Sequence, residues 1–323
     1  SSPSSSSISQ FSSSSFVSTC LLDEALIPTD PRFISTCDCS TFVCSLNDGS
    51  SLLVFQPSIM KNGKSLICEE KPHIAAISCI GISSNYIITG GCDASVVLCL
   101  FDKKKVSVVA QSVVNNDTIT AVCASNEYGI AVSCSRDGVM TIFRLPKLDF
   151  IRTVNFNPQE NLRLSTRRLS LAAPSTPSSL SFLFADRVMI TKGMGYIVAF
   201  LKNENEETTE KSTLIRNYTI NGQLINSSKF DCEVIDAMTI TSKCMIDYIL
   251  VLTDQPTVQE LLLIDAFSLN VISTIVKNCS DDNSGTEINN QSKITKFTYH
   301  EDTGIIVLAY DNLEIAFVSF LLP

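Results

Sequence analysis

Two aspartates, Asp93 and Asp137, are the most regularly placed carboxylates in this 323-residue chain, 44 positions apart. Each lies between two short apolar runs, and Asp48 and Asp311 have similar settings. A carboxylate pair can act as general acid and base, but an aspartate at such a turn also accepts hydrogen bonds from backbone N–H groups. Asp93 and Asp137 occupy matching positions of a sequence repeat. The sequence therefore favours a structural role at a turn for all four aspartates.

Metal and cofactor chemistry has little support. The only two histidines, His73 and His300, are far apart and are predicted to be surface or rim residues. None of the 13 cysteines has C-x-x-C spacing, and many lie in apolar patterns, so we interpret them as reduced core thiols of a cytosolic protein. Glycine-rich phosphate loops and zinc-protease motifs are missing from the sequence. We therefore expect no cofactor, no metal and no catalytic residue, with a propeller-fold enzyme as a remote alternative.

One local motif could carry a modification. Arg167 and Arg168 precede Ser170 at the spacing of a basophilic kinase site, in a segment rich in Arg, Ser, Thr and Pro. A phosphate there would add about −1.5 to −2 charge beside the arginines and could dock or release the loop. The alternative is a solvated basic loop with a chance match.

The charge balance restricts the partners. The chain has 33 acidic and 24 basic side chains, a net charge of −9, and no basic cluster. An acidic surface argues against nucleic acid and against direct binding to anionic lipid. We therefore expect protein partners, with membrane association only indirect.

The elements that hold these residues are short strands. Apolar runs broken by Gly, Asp, Asn and Ser recur from residue 33 onward without a helical period, and residues 86–101 repeat the pattern of residues 130–145. A repeat of this length with paired strands is typical of a β-propeller blade. The sequence predicts an all-β, WD-repeat-type propeller with six recognisable blades, a seventh being left open.

The domain boundaries follow from composition. Residues 1–15 are almost entirely serine and are predicted to be a disordered linker, whereas residues 16–323 form the propeller. The last unit has only three strands, so we expect residues 16–22 to supply a fourth and close the ring. We take the turn at residues 192–195 to occupy the same place in its unit as the turn at Asp137. On this alignment, the units in the second half of the chain are longer than those in the first half. The extra residues are predicted in four surface loops: 158–177, 203–211, 217–228 and 278–292.

Residues 133–138 read SCSRDG and residues 149–154 read DFIRTV. Together with the rest of residues 73–154, they resemble the C-terminal WD-repeat region of BEACH-domain proteins of the beige/neurobeachin type. The resemblance covers about a quarter of the chain. There is no Trp, and Asn115-Asn116-Asp117 stands where that family has a Gly-His pair. We therefore expect the usual buried His–hydroxyl–Asp–Trp network to be reduced to its aspartates and their hydroxyl or thiol neighbours.

The resemblance implies a non-catalytic scaffold acting in vesicle trafficking or membrane dynamics. The propeller would bind other proteins through its loops and faces, and a BEACH domain would lie upstream in the same polypeptide. Such a protein would be cytoplasmic or peripheral to endomembranes. The alternative is a WD-repeat subunit of a coat, autophagy or signalling assembly.

Overall fold

Twenty-three β-strands and no helix make up the described part of the chain. The computed structural model describes residues 31–38, 41–46, 49–55, 66–102, 105–157, 182–203, 212–255, 258–279, 293–312, 314–320 and 322. Consecutive strands pair antiparallel, which gives five four-stranded sheets and one three-stranded sheet.

The sheets follow one another along the chain. The first contains β1 (Pro31–Asp38), β2 (Thr41–Leu46), β3 (Leu52–Phe55) and β4 (Leu66–Glu70). The second contains β5 (Ile77–Ser83), β6 (Tyr86–Gly91), β7 (Val96–Asp102) and β8 (Lys105–Ser112). The third contains β9 (Ile119–Ser125), β10 (Ile130–Ser135), β11 (Val139–Arg144) and β12 (Asp149–Asn155).

The later sheets have the same plan. The fourth contains β13 (Leu183–Ile190), β14 (Ile197–Asn203), β15 (Thr213–Tyr218) and β16 (Leu224–Phe230). The fifth contains β17 (Glu233–Thr241), β18 (Asp247–Asp254), β19 (Val258–Asp265) and β20 (Val271–Cys279). The sixth contains β21 (Ile294–His300), β22 (Ile305–Tyr310) and β23 (Ile315–Ser319).

The architecture is a β-propeller, so the prediction of an all-β propeller is confirmed. The first strand of each sheet is innermost: β9, for example, packs between β5 and β13. In the second to fifth sheets the second and third strands are mostly buried on both faces, as in β10, where all six residues are buried. Such strands read as continuous apolar runs because neither face is solvated. The predicted closing strand at residues 16–22 and the predicted linker at residues 1–15 lie outside the described residues.

A β-bulge recurs in each first strand and links neighbouring sheets. Register shifts leave one extra residue beside the second strand, at Arg32, Ser78, Thr120, Asp186, Ile235 and Thr295. The Ser78 hydroxyl lies 2.9 Å from the Gly90 carbonyl of its own sheet and also contacts the Ile119 carbonyl of the next. Thr120 makes the same two contacts, with Cys134 and Ala185. In the second and third sheets the bulge thus aims a polar side chain at the adjacent blade.

Two predictions about the later units are wrong. Asp93 and Asp137 lie between second and third strands, whereas residues 192–195 join the first and second strands of the fourth sheet, so these turns are not equivalent. Residues 217–228 are not an inserted loop but the hairpin of β15 and β16. The hydrophobic pattern does not predict β16, because an outermost strand can be polar. The other predicted loops, at 158–177, 203–211 and 278–292, lie mostly or wholly outside the described residues.

Candidate interaction surface

The predicted turn aspartates accept hydrogen bonds where the structure describes them. Asp93 accepts from the Ser95 N–H (3.1 Å), the Ser95 hydroxyl (2.6 Å) and the Ile74 N–H (3.1 Å). Partial burial alone would raise the pKa of Asp93, but these hydrogen bonds and the nearby His73 imidazole lower it to about 2. Asp137 accepts from the Ser135 hydroxyl and Asp311 from the Lys293 N–H. Asp48 and the candidate phosphorylation site Ser170, with Arg167 and Arg168, lie outside the described residues.

His73 is not a surface residue, which corrects the prediction. Its ring is buried, with Nδ1 at 2.8 Å from the Ser95 hydroxyl and 3.2 Å from the Asp93 carboxylate. Nε2 lies 2.8 Å from the Thr89 hydroxyl. A His–hydroxyl–Asp network that the sequence was expected to lack is therefore present in the second sheet. Burial lowers the pKa of His73 more than the nearby Asp93 carboxylate raises it. His300 is exposed, as predicted.

The described thiols and acids do not cluster. Among the described residues, no three His, Cys, Asp or Glu side chains converge as a metal site would require. Cys99 and Cys134 are buried free thiols, and burial raises the pKa of Cys99 to about 12, which disfavours the reactive thiolate. Cys92 and Cys244 are exposed, so the core interpretation is wrong for these two.

The turns at one end of the sheets are braced together. We call this end, where first strands turn into second strands and third into fourth, the turn face; the opposite end is the connection face. The Tyr128 hydroxyl of the third sheet lies 2.9 Å from the Lys192 carbonyl and 2.7 Å from the Gly193 carbonyl of the fourth. Lys192 Nζ reaches Glu301 Oε1 of the sixth sheet at 2.9 Å. The turn face is therefore a connected surface rather than a set of independent loops.

Four large apolar side chains are displayed on the turn face of the fourth and fifth sheets. Their exposed fractions are 60% for Met194, 57% for Met245, 47% for Ile246 and 54% for Phe267. We call these four residues the turn patch. Single exposed apolar residues are ordinary, but a group of this kind on adjacent turns marks an interaction surface.

The methionine side of the turn patch is held by Asp247. This buried carboxylate accepts the backbone N–H groups of Gly193 (2.8 Å) and Met194 (2.7 Å) and the hydroxyl of Thr241 (2.7 Å). Gly193 approaches the next turn so closely that a Cβ there would lie 2.6 Å from the Met245 carbonyl oxygen. Met245 itself has φ 62°, a left-handed backbone conformation that residues other than glycine rarely adopt. The turn is thus fixed in a strained shape that leaves its apolar side chain in solvent.

The Phe267 side is held by amides of the fourth sheet. Asn217 Nδ2 donates to the Ala266 carbonyl at 2.6 Å, and Asn226 Nδ2 donates to the Phe267 carbonyl at 2.8 Å. The ring centroids of Phe267 and Tyr196 are 6.0 Å apart. These contacts tie the fifth sheet's turn to its neighbour, so the patch spans two blades as one unit.

Sequence reasoning did not find the turn patch. Ile246 directly precedes the buried run of β18, and Phe267 follows that of β19, so in the sequence both resemble the ends of core strands. Met194, between two glycines in the predicted turn at residues 192–195, and Met245, directly after the polar segment Ser242-Lys243-Cys244, stand out as apolar residues in turns.

Comparison with known proteins supports the fold and leaves the family open. No protein-family model and no curated protein matches this chain. Sqt1 of Chaetomium thermophilum, solved bound to the N-terminus of the ribosomal protein L10, is 12% identical with a TM-score of 0.56, and the match covers 87% of this chain and 68% of that one. A chain of the mitotic checkpoint complex is 10% identical with a TM-score of 0.54, covering 86% and 70%. Both are WD-repeat propellers.

Among the described residues, no helix could span a membrane.

Proposed function

We propose that this propeller is a non-catalytic protein-interaction scaffold that binds a partner through the turn patch. The observation that carries the proposal is the exposure of Met194, Met245, Ile246 and Phe267 on turns that are rigidly cross-braced. Fully burying a side chain of this size contributes about 1.5–3 kcal/mol, and because each of these is already about half buried, an interface would gain roughly half of that for each. Since the turns are fixed before binding, little of this is lost to ordering them.

The test compares the two faces of the propeller. The patch variant carries Met194→Gln and Phe267→Gln, and the control carries Ile74→Gln and Val113→Gln on the connection face. Ile74 and Val113 are 94% and 67% exposed, so the control substitutions remove no core packing. A partner recovered with the full chain is purified, and its affinity for each variant is measured by calorimetry.

We expect the patch variant to bind at least tenfold more weakly and the control to bind like the original chain. Equal affinities for the original chain and the patch variant, with both variants folded, would refute the assignment of the turn patch.

We also propose that the scaffold is the C-terminal propeller of a BEACH-type protein in vesicle trafficking or membrane dynamics, cytoplasmic or peripheral to endomembranes. The support is the resemblance of residues 133–138 and 149–154 to that family. The decisive observation is the coding sequence upstream of Ser1. A BEACH domain there would support the proposal, and its absence would favour the alternative, a WD-repeat subunit of a coat, autophagy or signalling assembly.

We also propose how the ring of the propeller is closed. Among the described residues, the sixth sheet has three strands where the other five have four, and Ile315 and Phe317 on its last strand are 62% and 70% exposed. We propose that residues 16–22 (FVSTCLL) add the fourth strand beside β23, which would give six blades. Deleting residues 1–25 should lower the unfolding temperature, and a synthetic peptide of residues 14–25 should restore it. A truncated chain as stable as the original would refute this closure.

The turn aspartates have a proposed structural role. Asp93, Asp137 and Asp311 each accept hydrogen bonds from residues of their own sheet. Substituting any of them should lower stability and leave partner affinity unchanged.

A further inference from the structure

The charged side chains that the turn patch displays are lysines. Residues 191–196, 242–246 and 266–270, the three turns that carry the patch, and the neighbouring turn 219–223 contain two charged side chains, Lys192 and Lys243. The whole chain has a net charge of −9. Asp247 and Asp265 border these turns, so the region has two basic and two acidic groups, and the exposed charged groups within the turns are the two ammonium groups.

The adjoining carboxylates are used within the turns. Asp247 is 3% exposed and accepts three hydrogen bonds from Gly193, Met194 and Thr241. Asp265 accepts the Ser268 N–H at 2.6 Å. A ligand lying on the patch would meet ammonium groups rather than these carboxylates.

The two lysines differ in availability. Lys243 is exposed and makes no ion pair with any residue that the structure describes. Lys192 pairs with Glu301, but both side chains are about half exposed (59% and 47%), and an exposed pair of this kind is weak. A carboxylate of a ligand can therefore bind Lys243 directly and replace Glu301 at Lys192.

We infer that the turn patch binds an acidic, apolar peptide segment: one in which aromatic or aliphatic side chains are flanked by Asp or Glu. The inference rests on the proposed function and names the class of its partner. The apolar side chains cover Met194, Met245, Ile246 and Phe267, and the flanking carboxylates meet Lys192 and Lys243. Repulsion from the rest of the acidic chain is limited because charges are screened beyond about 8 Å at physiological ionic strength.

The test selects ligands from a phage-displayed library of random dodecapeptides on the whole chain. Bound peptides are synthesised, and their affinities are measured for the original chain, for the Met194→Gln/Phe267→Gln variant and for Lys243→Glu. Lys147→Glu is the matched control, since Lys147 is also an exposed lysine on the turn face but belongs to the third sheet. Each peptide is also made with Asp and Glu replaced by Asn and Gln.

We expect peptides that depend on the turn patch to be enriched in Asp and Glu beside apolar residues. Lys243→Glu should weaken them about tenfold, Lys147→Glu should leave them unchanged, and the amide versions should be insensitive to Lys243→Glu. Patch-dependent peptides that are neutral or basic, or that ignore Lys243→Glu, would overturn the inference and leave the scaffold function standing. If no selected peptide depends on the patch, both the inference and the proposed function fail.

Discussion

Asn115 occupies in the third sheet the place that His73 occupies in the second. His73 Nε2 lies 2.8 Å from the Thr89 hydroxyl on β6, and Asn115 Nδ2 donates to the Ser133 hydroxyl on β10 at 3.3 Å. Asn115 also accepts from Thr141 at 3.0 Å, and both polar side chains are buried. Each therefore links the connection before its sheet to the buried second strand. The network expected to be lost is retained in one blade and rebuilt with an amide in the next.

The His73 network makes stability depend on pH. Burial lowers the folded-state pKa of His73 below its unfolded value of about 6.5, so protonation favours the unfolded chain. The contribution of neutral His73 is fully present above about pH 6.5 and is lost as the pH falls below it. In His73→Asn this dependence should disappear, and stability at pH 7 should fall by about 1–3 kcal/mol because one short amide cannot replace the hydrogen bonds of the imidazole to both Thr89 and Ser95. Urea unfolding at pH 7, 6 and 5 measures both effects.

The exposed histidine provides the control for this prediction. His300→Asn should keep the pH dependence of the original chain, because the His300 imidazole is exposed and, among the described residues, hydrogen-bonds to Thr303 alone. If His73→Asn retained the same slope of unfolding free energy between pH 7 and 5, the buried imidazole would not be its source.

Gln259 should be essential for the junction of the fifth and sixth sheets. Its side-chain oxygen accepts the Ile294 N–H at 2.8 Å and its Nε2 donates to the Ile294 carbonyl at 3.3 Å. Gln259→Leu would leave both buried backbone groups without partners and should cost about 2–4 kcal/mol of unfolding free energy. Gln111→Leu, on the exposed outer strand β8, should cost almost nothing. Equal losses for the two variants in urea unfolding would show that the amide is dispensable.

The sequence predicts the hairpins well because their information is local. The runs that became β6 and β7 lie on either side of Asp93, and turn residues between apolar runs specify antiparallel pairing whatever the rest of the chain does. β16 was missed for the same reason: its sequence LINSSKF is polar, and only its pairing with β15 makes it a strand. Its position outermost in the sheet is a property of the fold, not of the segment.

Tertiary contacts account for what could not be predicted. His73 is buried because Thr89 and Ser95, 16 and 22 positions later, return to meet its ring. The turn patch depends on Asp247 drawing in the turn of the preceding sheet and on Met245 adopting a left-handed conformation. Neither relation leaves a periodic pattern in the sequence, so hydrophobic spacing alone assigns Met245 no role.

The ion pair between Arg187 and Asp236 should contribute measurably to packing of the fourth sheet against the fifth. Arg187 Nη1 lies 2.5 Å from Asp236 Oδ1, Nη2 donates to the Ile235 carbonyl at 2.9 Å, and both side chains are mostly buried. A double-mutant cycle with Arg187→Met and Asp236→Asn should give a coupling energy of about 1–3 kcal/mol. The exposed pair Lys229–Asp231 serves as the control, and there we expect no measurable coupling. Equal coupling in the two cycles would contradict the role given to burial.

Gly193 should be required for the shape of the turn patch. A Cβ at this position would lie 2.6 Å from the Met245 carbonyl oxygen and 2.7 Å from Asp247 Oδ1, so Gly193→Ala must push the two turns apart. We expect a loss of about 1–3 kcal/mol in stability and at least a fivefold loss in affinity for a patch-binding peptide. Urea unfolding and calorimetry measure the two effects.

Gly129→Ala separates backbone strain from steric contact. Gly129 has φ +63°, but nothing lies within 4 Å of the added Cβ. This variant should lose about 1 kcal/mol from strain alone and bind the peptide normally. Should Gly193→Ala bind as tightly as Gly129→Ala, the close approach of the two turns would have no part in presenting Met194 and Met245 to a partner.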